Sequence, residues 1–286
     1  MSDFQAPLTD AHAHVFEPGL HVSSTARYVP HYSATVEGYL DALSTAGFER
    51  GVLVQPSFLG SDNSYLLAAL TRAPNRLRGV IVIDIDHIEK DLAKERVADL
   101  TRQGVRGVRL NLIGRHTPDI TAPQWKRAGE AMAKNGWHLE IQAAGDQWVS
   151  LDRGIRTWPG KVVIDHLGLP RLDHEASRQS VLKAASLNHV WVKVSAPYRS
   201  PRDQAALFVA DLVARSLTDR LVFGSDWPHT QHEDESFAGN LNWAATVLDS
   251  ALLKQCLSTN AETLFEWNSN SPTTPSTSHP PRTICL

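Results

Sequence analysis

Short apolar runs recur along the chain, and each is followed by a stretch with helical spacing. The runs cover residues 51–56, 79–84, 104–112, 137–142, 161–166, 189–195 and 220–226. A continuous run of this length, apolar on both faces, is the pattern of a strand enclosed on both sides of a parallel sheet. Between the runs, segments 35–46, 63–73, 89–103, 123–135, 146–157, 175–187 and 202–216 carry apolar residues three and four apart, such as Val36, Tyr39, Leu40 and Leu43 in the first. That spacing predicts amphipathic helices. Further helical spacing covers 237–254 and 260–266, and a first strand is read at Asp10–His14 after the turn-like Ala6-Pro7-Leu8-Thr9. Strict strand–helix alternation implies a parallel sheet with right-handed crossovers. Eight such units in about 265 residues predict an α/β fold, a TIM-like (β/α)₈ barrel forming a single domain over residues 1–267. The rival, an open doubly wound sheet, carries a glycine-rich phosphate turn after its first strand, and here that place holds His12-Ala13-His14. The stretch from Asn268 to Leu286 is rich in Ser, Thr and Pro without apolar periodicity, and disorder is expected there.

Composition narrows the partners. The 286 residues are 42% hydrophobic and 21% charged with a formal net charge of −3, which points to neither a nucleic-acid nor a membrane surface. The two cysteines, Cys256 and Cys285, make no disulfide framework and fit a reducing, cytoplasmic setting. Met1-Ser2-Asp3-Phe4 does not open a secretion signal, no apolar stretch is long enough to span a bilayer, and Thr283-Ile284-Cys285-Leu286 is not a prenylation box because its cysteine stands second from the end. The oligomeric state is not legible.

Candidate chemistry begins in the first strand. Residues two apart on a strand share a face, so His12 and His14 point into one pocket about 6–7 Å apart along the strand. Such a pair can hold a metal, polarise a carbonyl or shuttle a proton, or simply face water. In a barrel the active site lies at the C-terminal strand ends. Those ends carry Ser57 with Asp62 and Asn63, then Arg109, Asn111 and Arg115, then Gln142, His166, Ser195 with Arg199, and Asp226 with His229. The long polar loop 17–33, containing Arg27-Tyr28-Val29-Pro30-His31-Tyr32, is placed to add binding residues. Plainer roles are open for each. Arg109 within an apolar strand requires an anion, for which Asp84 is a candidate, and Asp226 could cap the following segment. Three arginines around a histidine/aspartate centre nevertheless suit a small substrate with more than one acid group.

Three motifs, Thr9-Asp10-Ala11-His12-Ala13-His14-Val15-Phe16, Val163-Ile164-Asp165-His166-Leu167-Gly168 and Phe223-Gly224-Ser225-Asp226-Trp227-Pro228-His229, together resemble the amidohydrolase superfamily and within it the lactonase branch, most closely the 2-pyrone-4,6-dicarboxylate lactonases. Ala26-Arg27-Tyr28-Val29-Pro30, Val54-Gln55-Pro56-Ser57 and Arg106-Gly107-Val108-Arg109-Leu110-Asn111-Leu112 extend the likeness from about Asp10 to Phe265. The resemblance implies a hydrolase that opens an anionic lactone in aromatic or sugar acid catabolism. It implies Asp226 as general base on water, His12, His14 and His166 polarising the carbonyl, and Arg109, Arg115, Arg199, Tyr28 and Ser57 binding the substrate, with Asn111 and Gln142 beside them. Two positions depart from the branch: Gln142 replaces a tyrosine and Leu169 an arginine. Losing that cation shifts the expected substrate toward a related lactone, such as a muconolactone, a sulfomuconolactone or a sugar acid lactone. His12, His14, His166 and Asp226 could hold Zn²⁺, yet strands four and five end in Arg109/Asn111 and Gln142 rather than in further ligands, so no cofactor is expected and zinc is the alternative. The other readings are a zinc-dependent decarboxylase of the same superfamily, a sugar lactone isomerase, and a barrel that binds organic anions without chemistry.

Overall fold

A computed structural model describes residues 6–171 and 173–267. The expected disorder after residue 267, the N-terminal Met1–Phe4 and Cys285 lie outside the described residues. Among the described residues, eight parallel strands pair in chain order. They are β1 (Thr9–Ala13), β2 (Arg50–Val54), β3 (Leu77–Ile81), β4 (Val105–Asn111), β5 (His138–Gln142), β6 (Lys161–Ile164), β7 (Val190–Ser195) and β8 (Leu221–Gly224). Just beyond β8, Asp226 N donates to His12 O at 2.9 Å and His14 N to Trp227 O at 2.7 Å, which brings the last strand against the first and closes the barrel. The intervening helices are α1 (Val36–Thr45), α2 (Ser64–Arg72), α3 (Ile88–Asp91), α4 (Lys94–Arg102), α5 (Pro123–Lys134), α6 (Gln147–Thr157), α7 (Glu175–Ala185) and α8 (Arg202–Ala214), followed by α9 (Phe237–Val247), α10 (Ser250–Leu257) and α11 (Thr259–Phe265). No helix among the described residues is long and apolar enough to cross a membrane.

The barrel divides into an apolar floor and a polar upper half. Ala11, Val52, Val80, Val163, Trp191 and Val222 pack with Leu264, Phe265 and Trp267, so α11 and the residues after it plug the N-terminal end. Arg50 and Arg78 lie over the Trp267 ring at 4.9 and 4.2 Å and finish that plug. The second apolar layer, between strands and helices, includes Leu53, Leu139, Ile141, Val192 and Phe223.

Three differences from the sequence pattern have local causes. The predicted strand 79–84 starts and ends earlier: Arg78 belongs to the floor, and Val82 N is taken by Asn63 Oδ1 at 2.9 Å instead of continuing the ladder. The predicted helix 89–103 is two helices, because Asp91 accepts from Asp84 N at 3.1 Å and Ala93 is extended (ψ 142°). The predicted helix 237–254 breaks at Asp249, whose carboxylate accepts from Ala251 N and Leu252 N and starts α10.

Strand β1 carries the feature that places the site. Asp10 pairs with Gly51 but Ala13 pairs with Leu53, so β1 has one extra residue, a β-bulge. Asp10 turns outward to accept from Tyr39 Oη of α1 at 2.9 Å, Ala11 joins the floor, and His12 is re-aimed to the interior on the same side as His14. Gly224 makes room for it. A Cβ there would stand 2.7 Å from His12 Cβ and 3.2 Å from Ser195 Cβ. Gly224→Ala is therefore expected to destabilise the fold by about 1–3 kcal/mol through overpacking, read as a lower denaturant midpoint. An unchanged midpoint would mean that the strands part without strain.

Candidate active site

Side chains from most of the strand ends and from the 17–33 loop line one cavity with about 560 Å³ of space, part of it open to solvent. Of the residues expected from sequence, His14, Tyr28, Ser57, Arg109, Asn111, Gln142, His166, Arg199 and Asp226 line it. His12 is fully buried beneath it. Arg115 is exposed beyond its rim and donates to Thr25 Oγ1 at 2.6 Å. Tyr28 lies at the rim with its hydroxyl donated to Glu233 Oε1 at 2.9 Å.

Two short left-handed turns present the central groups. His166 (φ 49°) follows β6 and Asp226 (φ 59°) follows β8, conformations that L-residues adopt at some cost and that cluster at functional sites. Asp226 Oδ2 accepts from Tyr198 Oη and from Arg199 Nε, both at 2.7 Å. Its Oδ1 has no hydrogen-bond partner among the described residues. Instead Oδ1 faces three imidazoles: His12 Nε2 at 3.6 Å, His14 Nε2 at 3.7 Å and His166 Nε2 at 3.9 Å. Burial alone would raise the Asp226 carboxyl, but the Arg199 guanidinium foremost holds it well below the usual carboxylate range. Burial lowers His14 to about 4 and His166 to about 3, and pushes His12 down as well, so all three rings are neutral at neutral pH. His14 Nδ1 donates to Val54 O at 2.7 Å, which leaves the lone pair on Nε2, facing the centre.

Below these rings lies a charged layer that the sequence reading missed. Lys193, wholly buried on β7, forms ion pairs with Glu140 of β5 and, at 3.2 Å, with Asp165 Oδ1. Arg109 Nε donates to Asp165 Oδ2 at 3.0 Å and its Nη2 to Gln142 Oε1 at 2.7 Å. The anion beneath Arg109 is thus Asp165 rather than Asp84, which is exposed and bound to His87 at 2.8 Å. Lys193, Arg199 and Arg109 against Glu140, Asp165 and Asp226 make three charges of each sign. A signal for this layer was present: Glu140 and Lys193 stand inside apolar strands, where each charge needs an opposite one. Tyr198 and Arg27 were also missed as site residues. Arg27 lines the cavity without an acidic partner among the described residues, and burial together with Arg115, Arg109 and Arg199 lowers its pKa. The interior cations are neutralised internally, so the attraction for an external anion comes from the rim.

The donor set also bears on a metal. His12, His14 and Asp226 form one group able to hold an ion, and His12, Asp165 and His166 a second. Four tetrahedral ligands at zinc distances stand about 3.3 Å apart. His12 Nε2 and His14 Nε2 are 3.3 Å apart, and Asp226 Oδ1 is 3.6 and 3.7 Å from them, so these three residues fit a zinc ion in type and spacing, with His166 outside that group.

A family model described as "Amidohydrolase" matches residues 9–267. A 2-pyrone-4,6-dicarboxylate hydrolase of Comamonas testosteroni is 28% identical over 247 residues, covering 80% of this chain and 79% of its own length. A 4-sulfomuconolactone hydrolase of Rhizobium radiobacter is 31% identical over 238 residues, covering 79% and 77%. Among solved structures, a protein of Acinetobacter baumannii described as "probable 2-pyrone-4,6-dicarboxylic acid hydrolase", with citric acid bound, superposes with a TM-score of 0.85 at 32% identity over 91% of this chain and 99% of the other.

Proposed function

The chain belongs to the amidohydrolase family, and from that premise we propose that it is a lactone hydrolase that opens the ring of a small lactone bearing two acid groups. One observation carries the reading: a buried carboxylate oxygen without a hydrogen-bond partner, at the meeting point of three neutral imidazoles, opens into a cavity whose rim carries unneutralised arginine. Asp226 Oδ1 accepts a proton from water as the water oxygen bonds to the lactone carbonyl carbon. The carbonyl electrons move onto oxygen, where His166 donates from Nε2 to the developing charge, a donor of this kind being worth about 3 kcal/mol. The His166 Nδ1 is held on Ser195 Oγ at 2.8 Å, while the His14 lone pair, anchored by the His12–His14 contact, faces the attacking water. Collapse of the tetrahedral intermediate breaks the ring C–O bond, and Asp226 returns the proton to the departing ring oxygen. Its low pKa suits this second step, since the carboxyl holds the proton weakly. Arg27 and Arg115 draw in the acid groups, while Ser57, Asn111, Gln142 and Tyr28 orient the ring so that the carbonyl faces the water.

A zinc ion held by His12, His14 and Asp226 would supply Lewis-acid polarisation and a more acidic water. The interior charges cancel without a dication, which supports a metal-independent reaction.

The test is a ring-opening screen with 2-pyrone-4,6-dicarboxylate, 4-sulfomuconolactone, muconolactone and sugar acid lactones, followed by NMR with and without a chelator. Chelator-insensitive opening of a dianionic lactone is expected. Binding without product, or isomerised lactone, would overturn hydrolysis, and zinc-dependent carbon dioxide release from an aromatic acid would make the protein a decarboxylase. For the lactone that turns over, Arg27→Gln is expected to raise KM about tenfold with kcat within twofold, an effect of about 1.4 kcal/mol on binding alone. An unchanged KM would remove Arg27 from substrate capture.

A further inference from the structure

The fully enclosed Lys193 does not reach the cavity, yet it touches His12. Its Nζ lies 3.0 Å from His12 Nδ1 while also bridging Glu140 and Asp165. An ammonium has donors only, so this contact requires the lone pair of His12 to be on Nδ1 and its proton on Nε2. A second, separate contact makes the same demand. His14 is fixed by its bond to Val54 O with its lone pair on Nε2, and His12 Nε2 stands 3.3 Å from that atom. With the proton on His12 Nε2 the two rings form a hydrogen bond. With it on Nδ1, two lone pairs would confront each other in a buried site. Two carboxylate oxygens could draw the His12 proton to Nδ1, Asp165 Oδ1 at 3.3 Å and Glu140 Oε1 at 3.7 Å, and neither is hydrogen-bonded to that ring.

We propose that Lys193 is a positioning residue that holds His12 as the Nε2-protonated tautomer, keeping that ring a hydrogen-bond donor toward the His14/Asp226 centre and withholding its lone pair from a metal. A zinc ligand must offer a lone pair, and ligating histidines usually donate the other nitrogen to a carboxylate or carbonyl. Here the carboxylate is in place, in Asp165, but the lysine occupies the nitrogen. Side chains that fit zinc in spacing are thus set by one buried lysine in the form that does not bind it. The effect on turnover rests on the hydrolase reading; the tautomer itself does not.

The experiment is long-range ¹H–¹⁵N correlation NMR of the free protein, which distinguishes the protonated from the bare ring nitrogen, paired with a zinc titration. Lys193→Met alone strands two buried carboxylates, so the variant to use is Lys193→Met with Glu140→Gln, which removes one charge of each sign and leaves Asp165 with Arg109. In the wild type, His12 is expected to show bare Nδ1 and protonated Nε2. In the double variant the Nδ1-protonated form should appear, most fully with zinc bound, where the metal takes the Nε2 lone pairs of both rings. The zinc Kd should fall at least tenfold, and kcat at least tenfold with KM within threefold. A wild-type His12 protonated on Nδ1 overturns the proposal whether or not the variant folds. So does a cooperatively melting double variant whose tautomer and zinc Kd match the wild type.

Discussion

Asp226→Asn is expected to lower kcat for the lactone substrate by about 10³- to 10⁴-fold, the range for loss of a positioned general base. The substitution keeps size and shape, and Tyr198 and Arg199 can still bond the amide. What disappears is the charge and basicity of Oδ1, the carboxylate oxygen that makes no hydrogen bond and faces His12, His14 and His166. KM should change by less than fivefold, because the cations assigned to the acid groups, Arg27 and Arg115, do not contact Asp226. Steady-state kinetics with a melting curve on the same preparation decide it. A folded variant retaining a tenth or more of the wild-type kcat would remove Asp226 from the base role.

The largest effect on stability is expected from Asp165→Asn, about 3–5 kcal/mol. Asp165 is wholly buried and its carboxyl is held well below the usual range: burial opposes ionisation, but Lys193 foremost and then Arg109 outweigh it. Neutralising it leaves two buried cations, Arg109 and Lys193, against Glu140 alone. At about 2–4 °C per kcal/mol for a chain of this size, the melting temperature should fall by roughly 10 °C. Adding Arg109→Met should recover part of the loss by restoring the charge balance. If Asp165→Asn melts within about 2 °C of the wild type, the interior charges are solvated by some other route and the network does not hold the upper barrel together.

The barrel was legible because its strands are enclosed on both faces, so the apolar runs at 51–56, 161–166 and 220–226 need no tertiary information to be read as strands. The mouth was legible for the same reason: once the strands are placed, the fold fixes which end of each carries Arg109, Gln142, His166 and Asp226. Helix breaks at Ala93 and Asp249 were not, because the extended backbone at Ala93 and the capping bonds to the Asp249 carboxylate decided them within patterns that kept helical spacing.

The sequence by itself determined the strand count, the alternation, the residues at the strand ends and the family motif. Only the tertiary structure decided the rest. The bulge at β1 sends Asp10 outward and His12 inward although they stand two apart, and Gly224, more than 200 positions away, is what leaves room for that ring. The partner of Arg109 is Asp165 rather than Asp84, and Lys193 and Glu140 meet across the barrel from β7 and β5. The physical reason is common to all of these. Apolar burial is short-ranged and periodic along a strand, so it is written locally. The pairing of buried charges and the direction of a single lone pair depend on which strand ends the closed barrel brings within 3–4 Å of each other.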